Sequence, residues 1–309
     1  MENQKKLLVL MDGSERARMT LTYLGQVAAF KDFKIVLYHV FSGIPECYRD
    51  LEKSPQYQHV MSQMTGWEVA QKKRITEFCE EAQKTLVEAG YKEDSVEIKI
   101  QKSKVGIARD IIKEAEEGGY TGVVMRRRGA GALETIVVGS VANKLFNKLT
   151  SCPLLIAGRR ELNNRVLIAI DGSTSSFKAV DFVAENLGRH GYAIGLVHVI
   201  RGFGSLVPES PEFMMPAENV ELAHNEMMRL FGDIKEKLIL AGFDENHIEE
   251  KIITGINSRA GAIVEEAKAG NYGTIVVGRK GLSRVQEFFM GRVSNKVIHA
   301  GREFTVWMV

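Results

Sequence analysis

The chain carries one long pattern twice, and that repetition limits its fold more than any other feature. One copy reads Arg126-Arg127-Arg128-Gly129, nine residues, then Gly139-Ser140-Val141-Ala142-Asn143-Lys144-Leu145. The other reads Gly278-Arg279-Lys280-Gly281, nine residues, then Gly291-Arg292-Val293-Ser294-Asn295-Lys296-Val297. Each follows a short apolar run, Gly122 to Met125 or Thr274 to Val277, and leads into a helical pattern. This order predicts a strand, a glycine loop and a helix N-terminus. Such a helix start offers backbone N–H groups without intrahelical partners and the positive end of the helix dipole, which suits phosphate. Glycine removes the Cβ that would hold the backbone away from the anion.

The repeat extends along both halves. Apolar runs Leu7 to Met11 and Val166 to Ile170 predict first strands, followed by Asp12-Gly13-Ser14 and Asp171-Gly172-Ser173. Ser14 and Ser173 are predicted N-caps of helices reaching about Lys31 and His190. Second strands, Lys34 to Val40 and Tyr192 to Ile200, each end in His-Val, His39-Val40 and His198-Val199. Proline-bearing irregular stretches follow, Phe41 to about Met64 and Arg201 to about Ala217, and then long helices, Gly66 to Ala89 and Glu218 to Ala241. Third strands at Ser95 to Gln101 and Glu249 to Thr254 lead to short helices, Ala108 to Glu117 and Ala260 to Ala269. Strand four, the cradle and its helix come next, and each half closes on a fifth strand, Leu154 to Ala157 or Thr305 to Val309. Strands alternating with helices predict an α/β fold, a doubly wound parallel sheet with helices on both faces. Two domains are expected, residues 1–158 and 165–309. The polar linker Arg159 to Asn164 is short enough to predict that they pack together.

Composition narrows the function. With 45% hydrophobic and 26% charged residues the chain matches a soluble globular protein. A formal net charge of +2 gives no reason to expect nucleic acid or an anionic membrane as a partner. The apolar start Leu7 to Met11 is cut off by Asp12, so it predicts a strand and not a targeting segment. Cys47, Cys79 and Cys152 fit neither a disulfide framework nor a zinc pattern, which predicts reduced thiols, no structural metal and a cytoplasmic location.

Asp12 and Asp171 fall where strand one meets its loop, at the carboxyl edge where open α/β sheets bind ligands. There a carboxylate either accepts from an adenine amine or ribose hydroxyl, or simply forms the turn. His39 and His198 have no metal-ligand or nucleophile partners at suitable spacing, which predicts hydrogen-bonded strand-end histidines and no catalytic residue. The backbone of Val40 and Val199 is placed to meet a base. Arg126 to Arg128 form either a phosphate clamp or a solvated basic loop.

Asp-Gly-Ser after strand one, His-Val after strand two and the late glycine motif together resemble the universal stress protein family in its tandem two-domain form. The resemblance covers nearly the whole chain. Its most specific element is the family's nucleotide motif, Gly-x2-Gly-x9-Gly-(Ser/Thr). The resemblance implies five parallel strands in order 3-2-1-4-5 in each half, the halves packed as a pseudo-twofold pair. It implies ATP or AMP at the carboxyl edge, with Mg2+ arriving only with the nucleotide. By that resemblance Asp12 and Asp171 hold the adenosine and Val40 and Val199 face the adenine. Gly129, Gly139, Ser140 and Val141 would hold phosphates in the first half, and Gly278, Gly281, Gly291 and Val293 in the second. Both copies depart from the motif: Arg126 replaces the first glycine of one, and Arg292 replaces Ser or Thr in the other.

The leading expectation is a cytoplasmic stress-response protein that binds an adenine nucleotide and acts through conformation or a regulatory protein partner. Hydrolysis would be slow at most, because neither a general base nor a set of Mg2+ ligands is visible. The alternative is an interaction scaffold or small-molecule binder with vestigial nucleotide sites, its ligand lying against the two long loops. An adenylating or pyrophosphatase relative would carry a Ser-Gly-Gly-x-Asp-Ser loop, which this chain lacks. The sequence also ranks the first cradle above the second, since Arg292 replaces a capping residue and puts a cation at a positive helix end.

Overall fold

The computed structural model describes residues 4–44, 55–126, 139–201, 217–256, 258–281 and 290–309. The chain divides into two compact units, Met1–Pro153 and Leu154–Val309. In the first unit the strands are β1 (Lys6–Leu10), β2 (Lys34–Phe41), β3 (Val96–Lys102) and β4 (Gly122–Arg126). Its helices are α1 (Glu15–Gln26), α2 (Gln58–Glu88), α3 (Ile107–Glu117) and α4 (Ser140–Lys148). The strands lie in the order β3-β2-β1-β4, with β1 parallel to both neighbours, so that Leu7 stands between Ile35 and Gly122. A strand flanked on both sides and covered on both faces must be apolar throughout, and Leu7, Leu8 and Val9 are wholly buried. Helix α1 packs beside α2 on one face, and α3 beside α4 on the other.

The second unit opens with β5 (Leu154–Ala157) and continues through β6 (Arg165–Ala169), β7 (Ala193–Arg201), β8 (Ile248–Ile256), β9 (Thr274–Val277) and β10 (Thr305–Met308). Its helices are α5 (Thr174–Leu187), α6 (Ala217–Leu240), α7 (Arg259–Ala269) and α8 (Arg292–Ala300). The order β10-β9-β6-β7-β8 is the 3-2-1-4-5 arrangement read from strand five to strand three, and its strands run parallel. Strand β5, the fifth of the first repeat, runs antiparallel to β10 and pairs Leu155 with Trp307. Both strands are buried along their length, as an apolar edge has to be if it is not to recruit another chain.

Three boundaries differ from the sequence reading, each for a physical reason. Helix α2 begins at Gln58, after a 3-10 turn at Pro55–Tyr57, and so absorbs Gln58 to Met64, which the sequence assigns to a loop. Among the residues of its first two turns whose burial is described, only Met61 is buried, so no apolar stripe marks them. Gly66, taken as the start, sits inside the helix where a Cβ would meet open space. Helix α1 stops at Gln26 and gives way to a 3-10 turn, Ala28–Phe30, and does not run on to Lys31. Helix α5 ends at Leu187 because Gly188 passes close to α6's exit, where a Cβ would lie 2.2 Å from the Ala241 carbonyl oxygen.

Neither Cys79 nor Cys152 is in a disulfide, and both are buried; desolvation pushes the Cys79 thiol up to about 11. Cys47 lies outside the described residues. No helix among the described residues is long and apolar enough to cross a membrane.

Candidate functional site

Each unit has a cavity at the carboxyl edge of its sheet, between the ends of strands one and four. Crossovers leave strand one in one direction and arrive at strand four from the other, so the loops there diverge and open a crevice. The first cavity has a volume of about 670 Å³ and the second about 430 Å³. Both are of the size that holds a small ligand.

In the first unit the sharp exit from β1 depends on Gly13, whose φ of 73° is left-handed and open to glycine at little cost. Asp12 Oδ1 accepts from the Ser14 backbone N–H at 3.0 Å and from the Ser14 hydroxyl at 2.6 Å. Ser14 occupies the N-cap position of α1 but spends its hydroxyl on Asp12, so it makes no side-chain cap. The second unit repeats the turn, with Gly172 at φ 75° and Asp171 Oδ1 accepting from Ser173 N–H at 3.0 Å. There Ser173 does cap α5, accepting from Ser176 N–H at 3.2 Å, and its hydroxyl donates to the Lys280 carbonyl at 3.2 Å. Each aspartate is therefore the turn former, and each also lines its cavity. The turn uses Oδ1 of each carboxylate.

Val40, Gly139 and Val141 also line the first cavity; Ser140, the exposed first residue of α4, does not, and Gly129 lies outside the described residues. In the second, Val199, Gly278, Gly281, Gly291 and Val293 all line the wall. Their missing side chains serve particular contacts. A Cβ on Gly281 would stand 2.6 Å from Asp171 Oδ2, so this glycine clears the carboxylate. One on Gly278 would stand 2.7 Å from the Ser175 carbonyl carbon and 2.8 Å from the Ser176 nitrogen, so it lets the first turn of α5 sit on the end of β9. Gly291 N–H donates to the Arg279 carbonyl at 2.7 Å, and the Ser294 hydroxyl to the Gly278 carbonyl at 2.6 Å. The N-caps of α4 and α8 are Gly139 and Gly291, at φ −53° and −66°. Ser140 and Arg292 are the first helical residues, which corrects their assignment as cap positions: Arg292 gives up no cap.

His39 and His198 line the two cavities. Nδ1 of each lies against the carbonyl that ends strand one, Met11 at 2.6 Å and Ile170 at 2.7 Å. A carbonyl only accepts, so Nδ1 carries the proton and Nε2 of the neutral ring is an acceptor. Burial, the largest influence, lowers both rings from the ordinary histidine value, against the raising effects of these hydrogen bonds and of Asp12 and Asp171.

Several wall residues escape the sequence reading because they come from elements that carry no motif. Ile107 and Ile111 of α3, and Arg259 and Ile263 of α7, line the cavities from the start of the helix after strand three. Their i, i+4 spacing at a helix start beside the carboxyl edge is the signal that finds them. Gln71 of α2 reaches the first cavity from a helix distant in sequence, and its buried Oε1 has no hydrogen-bond partner among the described residues. Among those residues no cluster of three or more His, Cys, Asp or Glu is arranged to hold a metal.

A doubly wound sheet with a ligand-sized cavity at the switch point of each repeat defines a tandem α/β protein. Two stretches, residues 3–158 and 163–303, match the universal stress protein family, and the chain belongs to that family. A universal stress protein of Mycolicibacterium smegmatis is 23% identical over 297 residues, covering 94% of this chain and 92% of the relative. The universal stress protein YxiE of Bacillus subtilis is 28% identical over 141 residues, 43% of this chain and 90% of the relative. The crystal structure of a universal stress protein from Archaeoglobus fulgidus superposes with a TM-score of 0.64 at 20% identity, covering 98% of this chain and 97% of that one.

Proposed function

We propose that the protein binds an adenine nucleotide in its cavities and acts through conformation or a partner protein. The observation that carries this reading is the convergence at one crevice, in both units, of a carboxylate, a strand-end backbone and a helix N-terminus. Asp12 and Asp171 would accept from the adenosine. The backbone of Val40 and Val199 would meet the base. The N–H groups that open α4 and α8, around Val141 and Val293, would receive phosphate. The unpartnered Gln71 oxygen fits this ligand, because an adenine amine is a donor and a buried acceptor without one is costly. When bound, the nucleotide would supply negative charge near the helix starts, and Mg2+ would enter only with its phosphates.

Native mass spectrometry of the purified chain, followed by calorimetric titration with adenosine, AMP, ADP and ATP, tests the proposal. We expect a bound adenine nucleotide or saturable binding of at least one of the four. Their failure to bind at millimolar concentration rejects it.

An interaction scaffold is favoured by a different observation. Val60 and Trp67, a helical seven residues apart on α2, are 46% and 52% exposed. An exposed tryptophan two helical turns from another exposed apolar residue, on the same face of the helix, suits a protein partner.

A further inference from the structure

The two cavities have the same frame and different charge. Arg259, the first residue of α7, occupies the place that Ile107 holds at the start of α3. Arg292, the first residue of α8, occupies the place of Ser140 in α4. Both arginines line the second cavity, with Lys280 and Lys296, so that four cations face one carboxylate, Asp171. In the first, among the described residues, one cation, Arg126, faces two carboxylates, Asp12 and Glu15. In the sequence outside the described residues, 127–138 holds Arg127, Arg128 and Glu134, and 282–289 holds Arg284 and Glu287. Arg259 also opposes protonation of the His198 ring, so its charge is felt at the cavity wall.

Arg259, Arg292 and Lys296, like charges around one crevice, repel each other, and a cation at a helix start opposes the dipole. A ligand with several negative charges relieves both. Guanidinium groups pair with phosphate through two parallel N–H donors, which lysine does not reproduce. We infer that the second cavity selects polyphosphate, with Arg259 and Arg292 as its specificity-determining residues, and that the first does not discriminate by phosphate number. This rests on the nucleotide reading above, and it makes Arg292 a phosphate partner where the sequence reading counts it against the second cradle.

The test is calorimetric titration of the full chain with AMP and ATP, using Asp12→Ala to weaken the first cavity or Asp171→Ala to weaken the second. With Asp12→Ala, ATP should bind at least about tenfold more tightly than AMP. Arg259→Ile and Arg292→Ser should each lower that ratio by about tenfold, the loss expected for a charge-assisted contact. Lysine at either position should restore part of it, and raised salt should compress it. With Asp171→Ala, AMP and ATP should agree within about threefold. Equal binding of AMP and ATP in the Asp12→Ala protein overturns the inference, as does a ratio unchanged in the double variant Arg259→Ile/Arg292→Ser. Tripolyphosphate separates this failure from that of the nucleotide reading. If no adenine compound binds, but tripolyphosphate binds the parent chain and not the double variant, the cationic site stands and adenine is the wrong base. If tripolyphosphate binds neither, the inference is wrong.

Discussion

Asp12 and Asp171 each close a turn onto the serine backbone through Oδ1, and each also lines its cavity, where the proposed reading has it accept from the adenosine. Replacing Asp12 with Ala should leave the first unit folded, because the residue is exposed at a strand end. It should weaken adenosine binding there about ten- to a hundredfold, the loss of hydrogen bonds to a charged acceptor of about 1.5–3 kcal/mol. Unchanged affinity, measured by calorimetry in an Asp171→Ala background, rejects the pose. The histidines give a pH dependence with a definite sign. Both folded values lie below the ordinary value of about 6.5, so in the interval between them the unfolded chain binds more protons. Their contribution to stability is complete above about pH 6.5 and is lost as pH falls through the folded values. NMR titration of the imidazole protons should find both midpoints below 6.5, and a midpoint at or above it refutes this account.

At the scale of elements, the glycine motif is a packing device. Gly278 brings α5 against the end of β9, and Gly291 and Ser294 bond the start of α8 back onto the same loop. Gly278→Ala would drive its methyl group into the backbone of Ser175 and Ser176, which cannot swing aside as a long side chain can. We expect a loss of about 1–3 kcal/mol, the range for overpacking, read as a lowered denaturant midpoint for the second unit. A midpoint within error of the parent shows that α5 shifts freely. Arg126 in the corresponding place is then a difference in how α1 and β4 meet.

At the scale of the whole chain, the pairing of β5 with β10 ties the end of the first repeat to the end of the second. Val306, Trp307 and Met308 are all but fully buried, and β5 covers one edge of their strand. A fragment cut at Asn163 and retaining 163–309 loses that cover and presents a short apolar edge. Sedimentation velocity should show it self-associating or aggregating as concentration rises. A well-behaved monomer over that range means that β10 does not need its partner.

Local chemistry made much of this protein legible from residues alone. The alternation of apolar runs and helical patterns, repeated in register, was enough for the fold class, because a strand buried on both faces must be apolar throughout; the strand order came only with the family resemblance. Asp12-Gly13-Ser14 and its copy were readable because a left-handed turn favours glycine and an Asx turn needs a short acceptor. Other features depend on contacts between residues far apart in sequence. The first turns of α2 carry almost no buried stripe, so periodicity could not reveal them. Gln71, Ile107 and Arg259 reach the cavities only because separate elements end at one sheet edge. The reading of Arg292 changed most: on the line of sequence it is a cation where a serine belongs. In the fold it is one of four cations around a cavity, and that grouping is a property of distances that only packing sets.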